Sequence, residues 1–176
     1  MNRPMRIALP SKGRLSERAL QLLELAGLRP AFAAERALVA SLGEGFEAIF
    51  VRAQDIPEYV ADGAAELGVT GADCVAESGR EVTEVLDLGF GRCRLIVAAK
   101  DESDVRSAKE LPPGTRVATS FPRCATRHFE SLGIPIRIAP VSGATEIAPH
   151  LGVADVIVDL TSTGSTLKVN GLREIG

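Results

Sequence analysis

A chain of 176 residues with 45% hydrophobic and 24% charged side chains has the make-up of a folded globular protein, long enough for one core or two small lobes. A net charge of −3, one Tyr, six Phe and no Trp supply neither the basic footprint nor the stacking platforms of a nucleic-acid binder, and no apolar run approaches the ~20 residues that cross a bilayer. Cys74, Cys93 and Cys124 are odd in number and widely spaced, which argues against a disulfide framework or a zinc motif. The start, Met1-Asn-Arg-Pro-Met5, lacks the apolar core of a secretory leader, so the expected compartment is the cytoplasm.

Strands and helices alternate along the chain. Arg6–Leu9 reads as a strand and Pro10-Ser-Lys-Gly-Arg14 as a turn; Leu15, Ala19, Leu22, Leu23 and Ala26 then repeat at helical spacing up to Gly27. Residues 37–42 and 46–51 flank Gly43-Glu-Gly45 as a β-hairpin, Pro57 opens a short helix ending at Gly63, and Leu67-Gly-Val69 is a brief strand with Thr70-Gly-Ala-Asp73 at its tip. Residues 82–88 and 94–99 read as two long strands around Gly89-Phe-Gly91, placed as a crossover between lobes. After a polar, Pro-containing stretch the alternation resumes. It predicts strand 116–119, helix 125–132, strand 134–138, helix 145–151 and strand 155–159.

The last of these strands carries the strongest chemical signal. Asp155-Val-Ile-Val-Asp159 is β-branched and apolar between acids, as in a strand buried on both faces, and it runs into Leu160-Thr-Ser-Thr-Gly-Ser-Thr166. In open α/β sheets ligands sit outside the carboxyl ends of strands, where a loop entering a helix offers unpaired N–H groups to an anion. Thr161, Ser162, Thr163, Ser165 and Thr166 add hydroxyls, Gly164 permits close approach, and Asp159 is placed to accept from sugar hydroxyls. The segment therefore reads as a sugar-phosphate cradle, or else as a Ser/Thr-rich turn capping the next helix. Lys12 and Arg14, in the first strand-to-helix turn, are either cations for substrate phosphates or solvated turn residues.

Two αβ lobes with their loops facing a cleft is the plan of a hinged ligand-binding fold. Ala8-Leu-Pro-Ser-Lys-Gly-Arg14, Arg52-Ala-Gln-Asp-Ile-Pro57, Asp62-Gly-Ala-Ala-Glu-Leu-Gly-Val-Thr-Gly-Ala-Asp73, Asp87-Leu-Gly-Phe-Gly-Arg-Cys-Arg-Leu95 and Asp159-Leu-Thr-Ser-Thr-Gly-Ser-Thr-Leu167, in this order, resemble the short form of the ATP phosphoribosyltransferase family, which opens histidine biosynthesis. The resemblance implies an α/β, two-lobed fold like that of type II periplasmic binding proteins, each lobe a small, mostly parallel sheet flanked by helices. Residues 1–90 would form the first lobe, also receiving the C-terminal end at about 170–176, and residues 91–169 the second. It implies attack by N1 of ATP on C1 of phosphoribosyl pyrophosphate (PRPP), with Mg²⁺ carried on substrate phosphates and no protein metal site.

Residue by residue, the resemblance puts the 5′-phosphate of PRPP on 161–166 and its ribose hydroxyls on Asp159 and on Glu146, the acid after Gly143-Ala144-Thr145. A first-turn helix acid is the plainer account of Glu146. Arg52 and Asp73 match positions facing nucleotide and pyrophosphate, with a surface ion pair as the alternative, and Arg94 would reach the cleft from the crossover. Cys93 reads as packing, and His128 and His150 as helix-surface or cap residues. Implied partners are a second catalytic subunit, as homodimer or higher oligomer, and a regulatory subunit related to histidyl-tRNA synthetase. Relatives continue past Gly176 into a strand and helix. A non-catalytic two-lobed module for a small anion, and a phosphoribosyltransferase with another acceptor, are the competing readings.

Overall fold

A computed structural model describes residues 3–34, 37–43 and 45–176, which fall into two compact units, Met1–Gly91 and Arg92–Gly176. Glu44, at the tip of the expected hairpin, lies outside the described residues, as do Met1 and Asn2.

The first unit contains β1 (Met5–Pro10), α1 (Arg14–Leu25), β2 (Ala31–Phe32), β3 (Val39–Ser41), β4 (Phe46–Val51), α2 (Ile56–Ala61), β5 (Leu67–Gly68) and α3 (Ala72–Ser78). Its sheet has the order β2-β3-β4-β1-β5. β1 runs parallel to β4, with Ile7 opposite Ala48, and parallel to β5, while β3 pairs antiparallel with β4 and β2. The strand period of two divides the core. Ile7 and Leu9 pack with Ala19 and Leu23 of α1 on one face; Ala8, between them, packs with Ile56 of α2 and Ala65 on the other.

The second unit contains β6 (Arg94–Lys100), β7 (Thr115–Thr119), α4 (Pro122–Ser131), β8 (Ile136–Pro140), β9 (Val156–Thr161), α5 (Ser165–Val169) and β10 (Leu172–Glu174), with a 3₁₀ turn at Thr145–Ile147. The order is β10-β6-β9-β7-β8. β9, β7 and β8 are parallel; β6 runs antiparallel to β9, with Arg94 opposite Thr161. Val156 and Val158 face Phe129 and Ala125 of α4, whereas Ile157 faces Leu167 of α5 and Leu172. That explains the all-apolar run of β9: both of its faces are covered.

The structure corrects five expectations. Both sheets are mixed, not mostly parallel, since each has antiparallel strands on one side. Residues 82–88 form no strand; Val85 and Leu86 are exposed, and no described strand pairs with them. The expected helix 145–151 is a single 3₁₀ turn, because Pro149 has no N–H to continue the ladder. Thr70–Asp73, expected as a strand tip, leads into α3, a helix the sequence reading did not find. Finally, residues 170–176 do not join the first unit. β10 adds to β6, with Leu172 opposite Lys100, and buries Leu172 on one face of the sheet and Ile175 on the other.

Candidate functional site

The carboxyl ends of the parallel strands form one edge in each unit, the place where α/β sheets generally take ligands. In the first unit, three strands end beside one another and deliver the expected residues from three loops. Lys12 follows β1, and Gly13 behind it has φ 82° and ψ 178°, a conformation essentially confined to glycine, which turns the chain into α1 at Arg14. Arg52 follows β4 and Asp73 stands in the first turn of α3 after β5. Lys12 and Arg14 are exposed and form no ion pair among the described residues. Arg52, by contrast, holds Asp55 at 2.9 Å, as the plainer reading anticipated. Asp73 is half-buried and accepts from the Cys74 thiol at 3.5 Å. Burial, with Asp73 alongside, pushes that thiol up to about 11, so Cys74 stays protonated at neutral pH.

In the second unit, β9 runs past Asp159 to Thr161, two residues beyond the expected strand end, and the loop 162–164 enters α5. Gly164, at φ 73°, takes the left-handed turn before the helix. The loop is braced from within. Thr161 Oγ1 accepts from the Gly164 N–H at 2.8 Å, Thr163 and Ser165 hydroxyls lie 2.9 Å apart, and the Ser165 N–H reaches Thr163 Oγ1 at 3.4 Å. Thr161 thus shapes the loop, while Ser162, Thr163, Ser165 and Thr166 are exposed and able to turn hydroxyls to an anion. Gly164 itself is the N-cap of α5, with no side-chain cap bond, and the hydroxyls of the segment brace the turn that leads into the helix.

Asp159 is half-buried and takes the Leu160 N–H on Oδ1 at 2.7 Å. Desolvation raises its pKa above the usual carboxylate value, and the Glu146 carboxylate pushes the same way, against the Leu160 amide and the Thr145 hydroxyl. Glu146 comes from the 3₁₀ turn after β8, so two strand ends bring the two acids together. Thr145, to which the sequence reading gave no role, is buried at 2% exposure in the same 3₁₀ turn. Its only trace in the sequence is a hydroxyl before the acid, and burial is what distinguishes it.

Arg94 starts β6 at the same edge, but its guanidinium is held by Glu174 through 2.6 and 2.9 Å bonds. His150 ties the turn after Ile147 to the Asn170 carbonyl at 2.7 Å, and His128 lies edge-on to Phe129 on α4. No disulfide joins any of the cysteines, no group of three His, Cys, Asp or Glu side chains suited to a metal occurs among the described residues, and no described helix is long and apolar enough to cross a membrane.

The second unit is thus a mixed α/β sheet whose carboxyl edge sets the desolvated Asp159 beside a hydroxyl-rich turn. Residues 52–176 match the family model of ATP phosphoribosyltransferase, and the chain belongs to that family. It is 66% identical over 174 residues to the ATP phosphoribosyltransferase of Gemmatimonas aurantiaca and 54% identical over 170 residues to that of Methanopyrus kandleri, covering 97% and 96% of this chain. It spans 60% of the length of both relatives. Among solved structures, the ATP phosphoribosyl transferase (HisG:HisZ) complex from Thermotoga maritima aligns with a TM-score of 0.85 at 31% identity, over 98% of this chain and 81% of that one. The alkanesulfonate-binding protein SsuA from Xanthomonas axonopodis pv. citri shares the fold, with a TM-score of 0.58 at 19% identity over 98% of this chain and 60% of that one.

Proposed function

We propose that the chain carries the phosphoribosyl-transfer chemistry of its family: N1 of ATP's adenine attacks C1 of PRPP, the C1–O bond to pyrophosphate breaks, and N1-(5-phosphoribosyl)-ATP and pyrophosphate are formed. The observation that carries this is the juxtaposition of Asp159 and Glu146 with the 161–166 loop at one strand edge, in a chain of this family. The loop takes the 5′-phosphate; the two acids take the ribose hydroxyls. Asp159 and Glu146 also lie where positive charge builds on the ribose ring as the bond to pyrophosphate lengthens, so they stabilise an oxocarbenium-like transition state as well as bind.

Adenine N1 has its own lone pair, so positioning and charge stabilisation, not a protein base, carry the step. Lys12, Arg14 and Arg52 neutralise the phosphates of ATP and of the leaving pyrophosphate, with Arg94 available if it exchanges Glu174 for substrate; exposed ion pairs give up partners at small cost. Asp73 orders the nucleotide side of the first-unit edge. Mg²⁺ rides on substrate oxygens, which suits a cation that keeps phosphate and water ligands, and it supplies charge neutralisation on pyrophosphate. The proposed setting is a cytoplasmic homodimer or higher oligomer with a regulatory subunit related to histidyl-tRNA synthetase, supported by the HisG:HisZ complex of Thermotoga maritima.

The test is mass-spectrometric detection of phosphoribosyl-ATP after incubation with ATP, PRPP, Mg²⁺ and a pyrophosphatase, with and without the synthetase-like subunit. Product from ATP, with none from adenine, quinolinate or anthranilate, is expected; absence of product in both arms refutes the proposal. Thr163→Val with Thr166→Val should weaken PRPP binding by about 3–6 kcal/mol, two lost bonds to a charged group at ~1.5–3 kcal/mol each. Wild-type affinity in calorimetry would remove the 5′-phosphate from this loop.

A further inference from the structure

The two parts of the proposed sugar site follow strands that are not neighbours. Glu146 comes after β8 and the hydroxyl loop after β9, with β7 between them in the sheet. Neighbouring strands lie ~4.8 Å apart, so the ends of β8 and β9 stand about 10 Å apart and no ladder bond joins them. Beyond Glu146 the chain crosses one face of the sheet on its way to β9. There Ala148 and Ala154 pack with Leu167 of α5 in one buried cluster. At the surface of that contact, His150 Nε2 lies 2.7 Å from the Asn170 carbonyl oxygen; a carbonyl only accepts, so the imidazole donates. Asn170 is the C-terminal cap of α5. Its Nδ2 donates to the Thr166 carbonyl at 2.8 Å, and its own N–H reaches the same oxygen at 3.2 Å.

We infer that His150 is a positioning residue for the sugar site: through Asn170 it fixes the turn that carries Glu146 to the helix that carries Ser165 and Thr166. The inference rests on the proposed sugar-phosphate reading of this edge and deepens it. A ribose 5-phosphate unit has a set span between its phosphate and its ring hydroxyls, so a site that holds both ends must keep its own two parts at a matching separation. Inorganic phosphate makes no such demand, since it occupies the loop alone. The turn has little of its own to hold it. Ala144 enters it at φ 48°, a strained conformation for alanine, the N–H groups of Ile147, Ala148 and Leu151 bond Ala144, Thr145 and Ile147, and Pro149 has no N–H to donate. The His150 ring is exposed and fills no core, so what it contributes is the donated bond.

His150→Phe keeps a ring and removes the donor, and His150→Gln restores an amide donor on a side chain of similar reach. In calorimetry on the full chain, His150→Phe should raise the dissociation constant of ribose 5-phosphate about fivefold, within the ~2–12-fold worth of one neutral hydrogen bond, and leave that of inorganic phosphate unchanged. His150→Gln should bring it back to within about twofold of wild type. In a Glu146→Ala background the effect of His150→Phe should shrink below about twofold, because the strut then holds a turn with no acid to place. Wild-type ribose 5-phosphate affinity in His150→Phe, an equal loss for inorganic phosphate, failure of His150→Gln to restore binding, or full additivity with Glu146→Ala overturns the positioning role. Glu146→Ala by itself separates the two levels: if it weakens ribose 5-phosphate binding while His150→Phe does not, only the positioning role falls; if it leaves the affinity unchanged, Glu146 leaves the sugar site and the inference falls with that reading.

Discussion

Asp159, proposed to bind the ribose, would do so at the expense of folding. Burial favours its neutral form, so the folded chain holds the proton more tightly than the unfolded one. The stability this contributes is complete below the unfolded value and is lost as pH rises through the raised folded value, so at neutral pH the ionised side chain is a cost. Asp155 has the opposite sign: the Arg116 guanidinium holds its pKa below the usual value, and its contribution, present above the unfolded value, disappears as pH falls through the folded one. Asp159→Asn should therefore raise the melting temperature at pH 7 and flatten its rise on acidification, while weakening PRPP binding by ~10–100-fold per lost ribose bond. Calorimetry at pH 5 and pH 7 checks the first effect and titration the second. A destabilised variant with unaltered affinity would contradict both.

At the scale of elements, what the sequence made legible was what local physics decides. β9 announced itself through Val156-Ile-Val158 because both of its faces are covered, and α1 through its apolar spacing and the Gly27 stop. What it concealed depended on partners. Residues 82–88 are rich in Val, Leu and Thr as a strand would be, yet a ladder needs a neighbour, and no described strand supplies one. β10 is three residues long, too short to show a pattern, and becomes visible only by docking on β6. At the site, Asp159 and the hydroxyl loop were readable because donor and acceptor types lie contiguously in the chain; the burial of Thr145 was not, since it depends on packing between one strand end and the next. β5 illustrates the same limit. Gly68 looks like punctuation, but a Cβ there would meet Ile56 Cγ2 at 2.5 Å and Val60 Cγ2 at 3.0 Å, so α2 packs directly against the strand backbone. Gly68→Ala should cost ~1–3 kcal/mol through overpacking, read from the denaturation midpoint. Combined with Ile56→Ala, which removes the clashing methyl, the loss should fall short of the sum of the two single losses. Strict additivity would show that the strand shifts freely.

For the molecule as a whole, the decisive fact is where its cores lie. Each buried cluster draws on one unit alone: Ile7, Leu9, Leu23 and Phe50, with Ala8 and Ile56, belong to the first, and Val97, Val117, Phe129, Val158, Ile157 and Leu172 to the second. The proposed sugar-phosphate groups, Glu146, Asp159 and 161–166, also all come from the second unit. That unit exceeds the ~40 residues below which a fold usually needs disulfides or metals, and β10, closing onto β6, completes its sheet from within. Residues 92–176 expressed alone should fold cooperatively and bind ribose 5-phosphate within about tenfold of the whole chain, a difference of ~1.4 kcal/mol. They should transfer nothing to ATP, because Lys12, Arg14, Arg52 and Asp73 remain on the other unit. Amide dispersion in NMR reports the folding and calorimetry the binding. A well-dispersed fragment that ignores ribose 5-phosphate, beside a whole chain that binds it, would mean that the first unit supplies part of the sugar site, and the roles assigned to its cations would have to extend from the leaving group to the ribose itself.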